Sequence, residues 1–475
     1  MKAVLVLFAS FWLVGIGGGV FFDSGLFVLI VSICAVIVAS WYRWRIPVLS
    51  AAILLAALGY LWGNTAFASL SQPCALGSPF EGKIASVYRR QASQAQYIVY
   101  SSGCMALVRT SRFPEYHAGN DIRVEGKVQP VQDIPAEYEG YAHYLARQGV
   151  NATVLYPQIT VLADSQTFLG RLRSKLEHQV ISIFRVPEAG VIAAMLLGQR
   201  GDISEELTEQ FQRSGISHIL AISGLHISLF AGALLVLTYI LPVSRSGRFV
   251  LVGGILWAYV VLVGAPPSAI RAGIFWSVAL LALATHRLVS LPTFLVVAVV
   301  GLVSFQPAMI QDVGFQLSVS AVMGIGAMLF IVSPWQQVMG QHKTGASLIT
   351  SVAVVSLGAT LTTWPLVSLY FGGVPLFGIV ANILVVPVVP VLVGVSAAAL
   401  LMSVIFFPAA SIATWIVHLV WIWVNGSSRL VANIPFGYLS FRLPLLAVVA
   451  YYVILVIVFG IAVRSQGRTM RELWQ

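Results

Sequence analysis

Residues 215–228 read GISHILAISGLHIS, which places His218, His226, Ser217, Ser223 and Ser228 in an otherwise apolar run. Histidine beside serine admits three chemistries: a metal site, a nucleophile with its base, or a polar path through an apolar bundle. As metal ligands the two histidines lack a third partner at a recognised spacing, and no HExxH motif occurs. As nucleophile and base, Ser223 and His226 are helical neighbours, but no acid is in reach to orient the base, and a helix offers no oxyanion hole. In a continuous helix His218 and His226 would diverge by about 80° and share one broad face. Gly215 and Gly224 would let another helix or a substrate approach that face. A hydrogen-bonded polar stripe is the reading this spacing favours.

Other polar residues interrupt apolar stretches further on. GAPPSAIRAG carries Arg271, and QDVGFQLSVS carries Asp312, Gln316, Ser318 and Ser320. An ion cannot be left facing lipid, so Arg271 either pairs with Asp312 or lines a water-filled path, and the sequence leaves both open. His418, in WIVHLVWIW, reads as an interhelical hydrogen-bond donor. Asn382 and Pro387, in FGIVANILVVPVVP, read as a kinked element that faces a pore or packs.

The elements that must position these residues are membrane spans. The 475-residue chain is 58% hydrophobic and 9% charged, with a mean hydropathy of +0.89, which excludes an ordinary soluble protein. Its net charge of +10 fits basic cytoplasmic loops and is weak support for an anionic partner. Residues 1–70 hold three apolar segments, 2–22, 24–42 and 46–70, each about the ~20 residues a bilayer needs. Arg43 and Arg45 keep the second connection inside, which turns residues 71–165 outward and leaves the amino terminus in the cytoplasm. AFA at 66–68 resembles a peptidase site, but it follows three spans, so the reading retains the amino terminus.

Residues 71–165 alternate like strands and are punctuated by Gly, Pro, Asn and Asp, as in AQYIVYSSGCMALVRT and NDIRVEGKVQPV, which predicts a small β-barrel or sandwich. Cys74 and Cys104 both fall there, and an extracytoplasmic location permits a disulfide between them. Tyr88, Arg89 and Arg90, with Tyr97 and Tyr100 on the next strand, offer the basic and aromatic mixture that single-stranded nucleic acid favours; ordinary strand composition explains them equally well. Residues 166–214 read as amphipathic, interfacial helices. Residues 215–475 hold nine apolar segments, near 218–241, 249–264, 268–285, 291–305, 313–332, 347–370, 375–400, 401–424 and 444–463, which return the carboxyl terminus to the cytoplasm. The expected fold class is therefore a polytopic α-helical membrane protein with one small extracytoplasmic β domain.

AMLLGQRGDIS, RSGISHILAISGLHIS, GAPPSAIRAG, QDVGFQLSVSAV and PLFGIVANILVVPVVP, in this order, closely resemble the competence domain of the ComEC family. The region before them, down to EYEGYAHYLARQGV, resembles that family's extracytoplasmic OB-like domain. The resemblance implies an inner-membrane channel that passes single-stranded DNA into the cytoplasm during natural transformation. It places Gly215, Ser217, His218, Ser223, Gly224, His226, Arg271, Asp312 and Gln316 around the conducting core, with Asn382 beside them. The chain ends at Gln475 with no metallo-β-lactamase-like segment and no HxHxDH cluster, so neither nuclease activity nor a metal or other cofactor is expected. A separate nuclease, a periplasmic DNA-binding protein and a cytoplasmic helicase are the expected partners beside membrane lipid, and a homo-oligomer is compatible. The competing readings are a secondary transporter of a smaller anion, with Arg271 as its binding charge, and, weakest, an intramembrane hydrolase using Ser223 and His226.

Overall fold

The computed structural model describes residues 57–62, 76–90, 94–135, 145, 149–164, 168–199, 201–285, 291–338, 345–405 and 407–465. The predicted spans at 2–22 and 24–42, most of the third, and Cys74 lie outside these residues. The chain forms two compact units, one of residues 1–176 with 200–202 and 296–312, the other of 177–199, 203–295 and 313–475.

The first unit holds a seven-stranded sheet: β1 (Phe80–Arg90), β2 (Gln94–Ser101), β3 (Cys104–Ser111), β4 (Asn120–Glu125), β5 (Val128–Pro130), β6 (Ala152–Leu155) and β7 (Gln158–Asp164), in the order β5-β6-β3-β2-β1-β4-β7. All pairings are antiparallel except β3 with β6. Strands β6 and β7 are one run of chain bent at Tyr156, whose φ of 46° is in the left-handed region, and Pro157. The run pairs with β3 on one side of the bend and with β4 on the other. Two register shifts in β1, between Ile84 and Ser86 and between Val87 and Arg89, add local twist.

The sheet buries Tyr97, Val99, Ala106, Val108, Ile122, Val124 and Val154 on one side. At the centre the Tyr97 and Tyr116 rings meet edge to face, centroids 5.6 Å apart, and Tyr97 Oη accepts the Tyr116 N–H at 3.3 Å. The opposite faces of β2 and β3 are covered as well: Ile98 and Leu107 pack beneath Val131, Leu145 and Val150.

The remaining elements are mainly helices, of which residues 168–176 and 296–305 belong to the first unit and the rest to the second. Helices α1 (Phe168–Ile183), α2 (Glu188–Leu197) and α3 (Glu205–Ser214) precede a 3-10 turn at Ser217–Leu220 and α4 (Gly224–Thr238). There follow α5 (Arg245–Leu262), α6 (Pro267–Ala284), α7 (Leu291–Phe305), α8 (Val313–Val338), α9 (Gly345–Phe371), α10 (Gly378–Val385), α11 (Val389–Ile405), α12 (Phe407–Ala432) and α13 (Leu445–Ser465). Among the described residues, five of the nine predicted crossings make helices long and apolar enough to span: Pro267–Ala284, Val313–Val332, Ile349–Phe371, Gly378–Ser403 and Leu445–Ala462. The segments at 218–241, 249–264 and 291–305 give shorter apolar helices, and the one placed at 401–424 becomes α12, which runs on to Ala432.

Pairs of these helices meet through small residues and hydroxyls. Helices α8 and α9 cross so closely at Gly324 and Gly358 that a Cβ at Gly324 would overlap Gly358 O and Thr362 Oγ1. Thr362 Oγ1 donates to Ser320 O at 2.7 Å and Tyr370 Oη to Gln316 Oε1 at 2.8 Å, so the two helices run antiparallel. Pro365 sits inside α9 and deprives Leu361 O of its helical donor; Tyr451 Oη of α13 supplies one at 2.9 Å. The VVPVVPV segment turns through a 3-10 step at Val386–Val388, and Trp423 Nε1 donates to Leu384 O beside it at 2.8 Å.

Candidate functional site

Helix α3 is set by its sequence: Ser204 caps it by accepting the Leu207 N–H at 3.2 Å, Glu205 and Glu206 fill the first turn, and Arg213 the last. It ends at Gly215, whose φ of 81° suits glycine. A Cβ there would come within 2.8 Å of Gly378 Cα and 3.0 Å of Pro375 Cγ, so the turn doubles as a close approach to the start of α10. On its other side α3 is clamped to α12: Gln210 Nε2 donates to Asn425 Oδ1 at 2.9 Å and Ser428 Oγ at 3.1 Å, and Ser214 Oγ lies 3.2 Å from Ser428 Oγ.

Beyond Gly215 the structure corrects the expectation of one polar helix. His218 lies on the 3-10 turn and is exposed, Ala221 and Ser223 are extended, and α4 begins only at Gly224. His218 and His226 therefore share no helical face. Gly215 ends α3, and Ser223 prefers to cap a new helix rather than continue an old one. His226, three residues into α4, reaches back so that Nδ1 accepts the Ser223 backbone N–H at 3.1 Å and lies 2.9 Å from Ser223 Oγ. This is a capping box with imidazole where glutamate usually stands. Because Nδ1 accepts a backbone N–H, the neutral ring carries its proton on Nε2. That nitrogen is buried without a hydrogen-bond partner among the described residues, and the side chain is only 3% exposed. The contact with Ser223 is thus a helix cap.

Around this cap Ile222 and Ile227 share one apolar cluster with Ala269 and Ala272 of α6. Arg271, between those alanines, is 6% exposed, so α6 brings a buried guanidinium into the same packed group of helices. Gln316 opens α8 and is held by Tyr370, and half-buried Asp312 immediately precedes that helix. Asn382 lies one turn into α10, half-buried, with Oδ1 lacking a partner among the described residues. Ser223, Gly224 and His226 are brought together directly, Arg271 sits on α6, which packs on α4, and Asn382 sits on α10, whose start approaches Gly215.

In the β unit Arg89 and Arg90 of β1 stand opposite Gln96 and Ala95, and Tyr88 is on the same strand. Tyr97 is fully buried and cannot stack on a strand of nucleic acid; Tyr100 is exposed but opposes Lys83, at the far end of the ladder. The alternation along β2 separates these two tyrosines, so the expected aromatic patch is not assembled from them. Cys104 opens β3 and is not a free thiol, while its proposed partner Cys74 is outside the described residues. No group of three His, Cys, Asp or Glu side chains able to hold a metal is present among the described residues. Sequence reasoning passed over Glu188, which is buried at the start of α2 and lies 2.6 Å from His418. A lone glutamate heading PEAGVIAAMLL was the available signal.

Long apolar helices joined by internal hydroxyl and amide contacts, beside a folded sheet unit, define a multi-pass membrane protein. The family model described as Competence protein matches residues 195–466, more than half of the chain, and the chain belongs to that family, the ComEC family of competence proteins. It is similar to ComE operon protein 3 of Bacillus subtilis (26% identity, 75% of this chain, 43% of the relative) and to Recombination protein 2 of Haemophilus influenzae (30% identity, 42% and 26%). It is also similar to an uncharacterized protein of Escherichia coli, YcaI (26% identity, 50% and 31%). The chain spans less than half the length of each of these relatives. No solved structure matches it.

Proposed function

We infer that this protein is an inner-membrane channel that moves single-stranded DNA into the cytoplasm during natural transformation. The observation that carries the reading is the interrupted segment from Gly215 to His226. A broken helix in an apolar bundle exposes backbone and polar side chains, and it is tolerated where it lines a wet path. The buried Nε2 donor of His226 and the Arg271 guanidinium on a neighbouring helix supply groups suited to a hydrated polyanion. Family membership supports the same assignment.

The β unit supports an OB-like reading. Taking β6 and β7 as one bent strand, the pairings run β1-β2-β3, then the bent strand parallel to β3, then β4 back to β1, which is the order of a five-stranded Greek-key barrel with β5 added. In this reading the unit faces away from the cytoplasm, both chain termini face it, and Cys74 is the disulfide partner of Cys104. A separate nuclease, a periplasmic DNA-binding protein and a cytoplasmic helicase would act beside it.

The test is uptake of labelled DNA in a competent host, with cytoplasmic and periplasmic DNA scored separately. Cells carry the gene, a deletion, Arg271→Gln or His226→Gln, with protein levels matched. DNA stranded outside the inner membrane in the deletion and in Arg271→Gln supports the channel. Unchanged cytoplasmic uptake in the deletion, in a host with no second copy, overturns it in favour of a small-anion transporter.

A further inference from the structure

Glu188 is 2% exposed at the first turn of α2, and its carboxylate has two partners. Oε1 accepts the Arg185 backbone N–H at 3.2 Å, and Oε2 lies 2.6 Å from His418 Nδ1 on α12. An anion so buried, with one backbone donor and one imidazole, is stable only if the imidazole carries a countercharge or the acid holds a proton. Both arrangements contain one proton, shared across the 2.6 Å contact. Removing it leaves the buried carboxylate without its imidazole partner, and adding a second leaves an imidazolium with no carboxylate to meet it. A small, partly open cavity lined by Ile183, Arg185, Glu188, Thr414 and Trp415 adjoins the carboxylate. The Arg185 guanidinium lies 4.3 Å over the Trp415 ring on the wall of that cavity.

We propose that Glu188 and His418 form a proton-binding tie whose single proton holds α2 against α12. Helix α12 also carries Asn425 and Ser428, the groups that clamp α3 just before Gly215 and His218. Proton occupancy at one point of α12 thereby bears on the helix that positions the interrupted segment.

Arg185 is the charged residue in the connection before α2, and Glu177 and His178 belong to the helix before that. Of the elements packed on α2, α11 has no titratable side chain and the 3-10 turn has His218. Of those packed on α12, α10 has none and α3 has Glu205, Glu206, Glu209 and Arg213. On α12 itself Arg429 is three turns from His418.

Trp415 is a built-in reporter, its ring edge-on to the His418 imidazole with centroids 6.3 Å apart. The full-length protein in phosphatidylcholine nanodiscs is titrated between about pH 4 and 9, and the Trp415 emission is isolated from that of the 12 tryptophans by subtracting Trp415→Phe. The expected result is a pH-dependent change of emission in wild type that is absent in His418→Gln and altered in Glu188→Gln. A flat wild-type response overturns the proposal, as does a response that survives His418→Gln. A curve that Glu188→Gln leaves in place means His418 titrates alone and also overturns it. Should His418→Gln not fold, Glu188→Gln and Glu188→Asp decide the matter. None of these readouts requires DNA transport.

Discussion

The two units treat polar and apolar groups in opposite ways. In the β unit Tyr97, Val99 and Ile122 are inside, while the cross-strand pair of Glu81 and Arg123 stands in solvent. In the helical unit Ser214, Ser368, Ser396, Ser428 and Arg271 are buried, while Leu401, Ile412, Leu419, Leu446 and Val456 are exposed. Each such exposed side chain would cost about 1.5–3 kcal/mol in water, so the outer surface of this unit is built for hydrocarbon. In hydrocarbon the apolar surface no longer selects the packing, and close backbone approach and internal hydrogen bonds must do so. Substitutions should therefore separate the units: adding volume harms the helical unit, and removing volume harms the β unit.

The largest effect is expected from Gly324→Leu. Its first added carbon overlaps the Gly358 carbonyl, a backbone atom that cannot turn aside, so α8 and α9 must part. Detergent-solubilised protein should lose its monodisperse elution and its thermal transition, while pulse proteolysis finds the β unit intact. Loss of both units together would break the comparison. Next comes Tyr97→Ala, which removes a fully buried ring and the acceptor of the Tyr116 N–H. A cost of about 3–5 kcal/mol follows, read as lost hydrogen-exchange protection in β1–β4 with α8 and α9 unchanged.

Ser223→Ala is a smaller change inside the candidate site. It removes the hydroxyl 2.9 Å from His226 Nδ1 but keeps the backbone N–H that the ring accepts. Loss of a capping side chain costs about 1 kcal/mol, so amides in the first turn of α4 should exchange about fivefold faster with the rest of the protein unaltered. Equal protection in mutant and wild type would show that the ring alone holds the cap.

Much of this division was legible in the sequence, because lipid-scale apolar runs and turn-punctuated strands differ in length and period. The positions of Gly215, of the Pro266–Pro267 break and of VVPVVPV marked where helices stop. The interruption between His218 and His226 was not legible. Ala221–Ile222–Ser223 carries no Gly or Pro, and what breaks the helix there is a side-chain cap made three residues later. The strict alternation expected of a one-sided sheet also failed in β2, because Ile98 is covered by residues as distant in sequence as Val131 and Val150. The Glu188–His418 contact joins positions 230 residues apart, which no local period can announce.

The smallest expected effect concerns protonation in the β unit. Burial first, and then the nearby Tyr97, raise the pKa of the Tyr116 hydroxyl above its ordinary value of 10.0. The folded state thus holds this proton more tightly than the unfolded chain. The resulting stability is fully present below about pH 10 and is lost as pH rises through the folded-state value, because the unfolded chain ionises first. Pulse proteolysis of the full-length protein at increasing alkalinity should show the β unit opening earlier in wild type than in Tyr116→Phe, which has no proton to lose. Identical alkaline profiles would mean that the Tyr116 hydroxyl is solvated in the folded protein, and that the edge-to-face pair with Tyr97 is looser than its 5.6 Å geometry indicates.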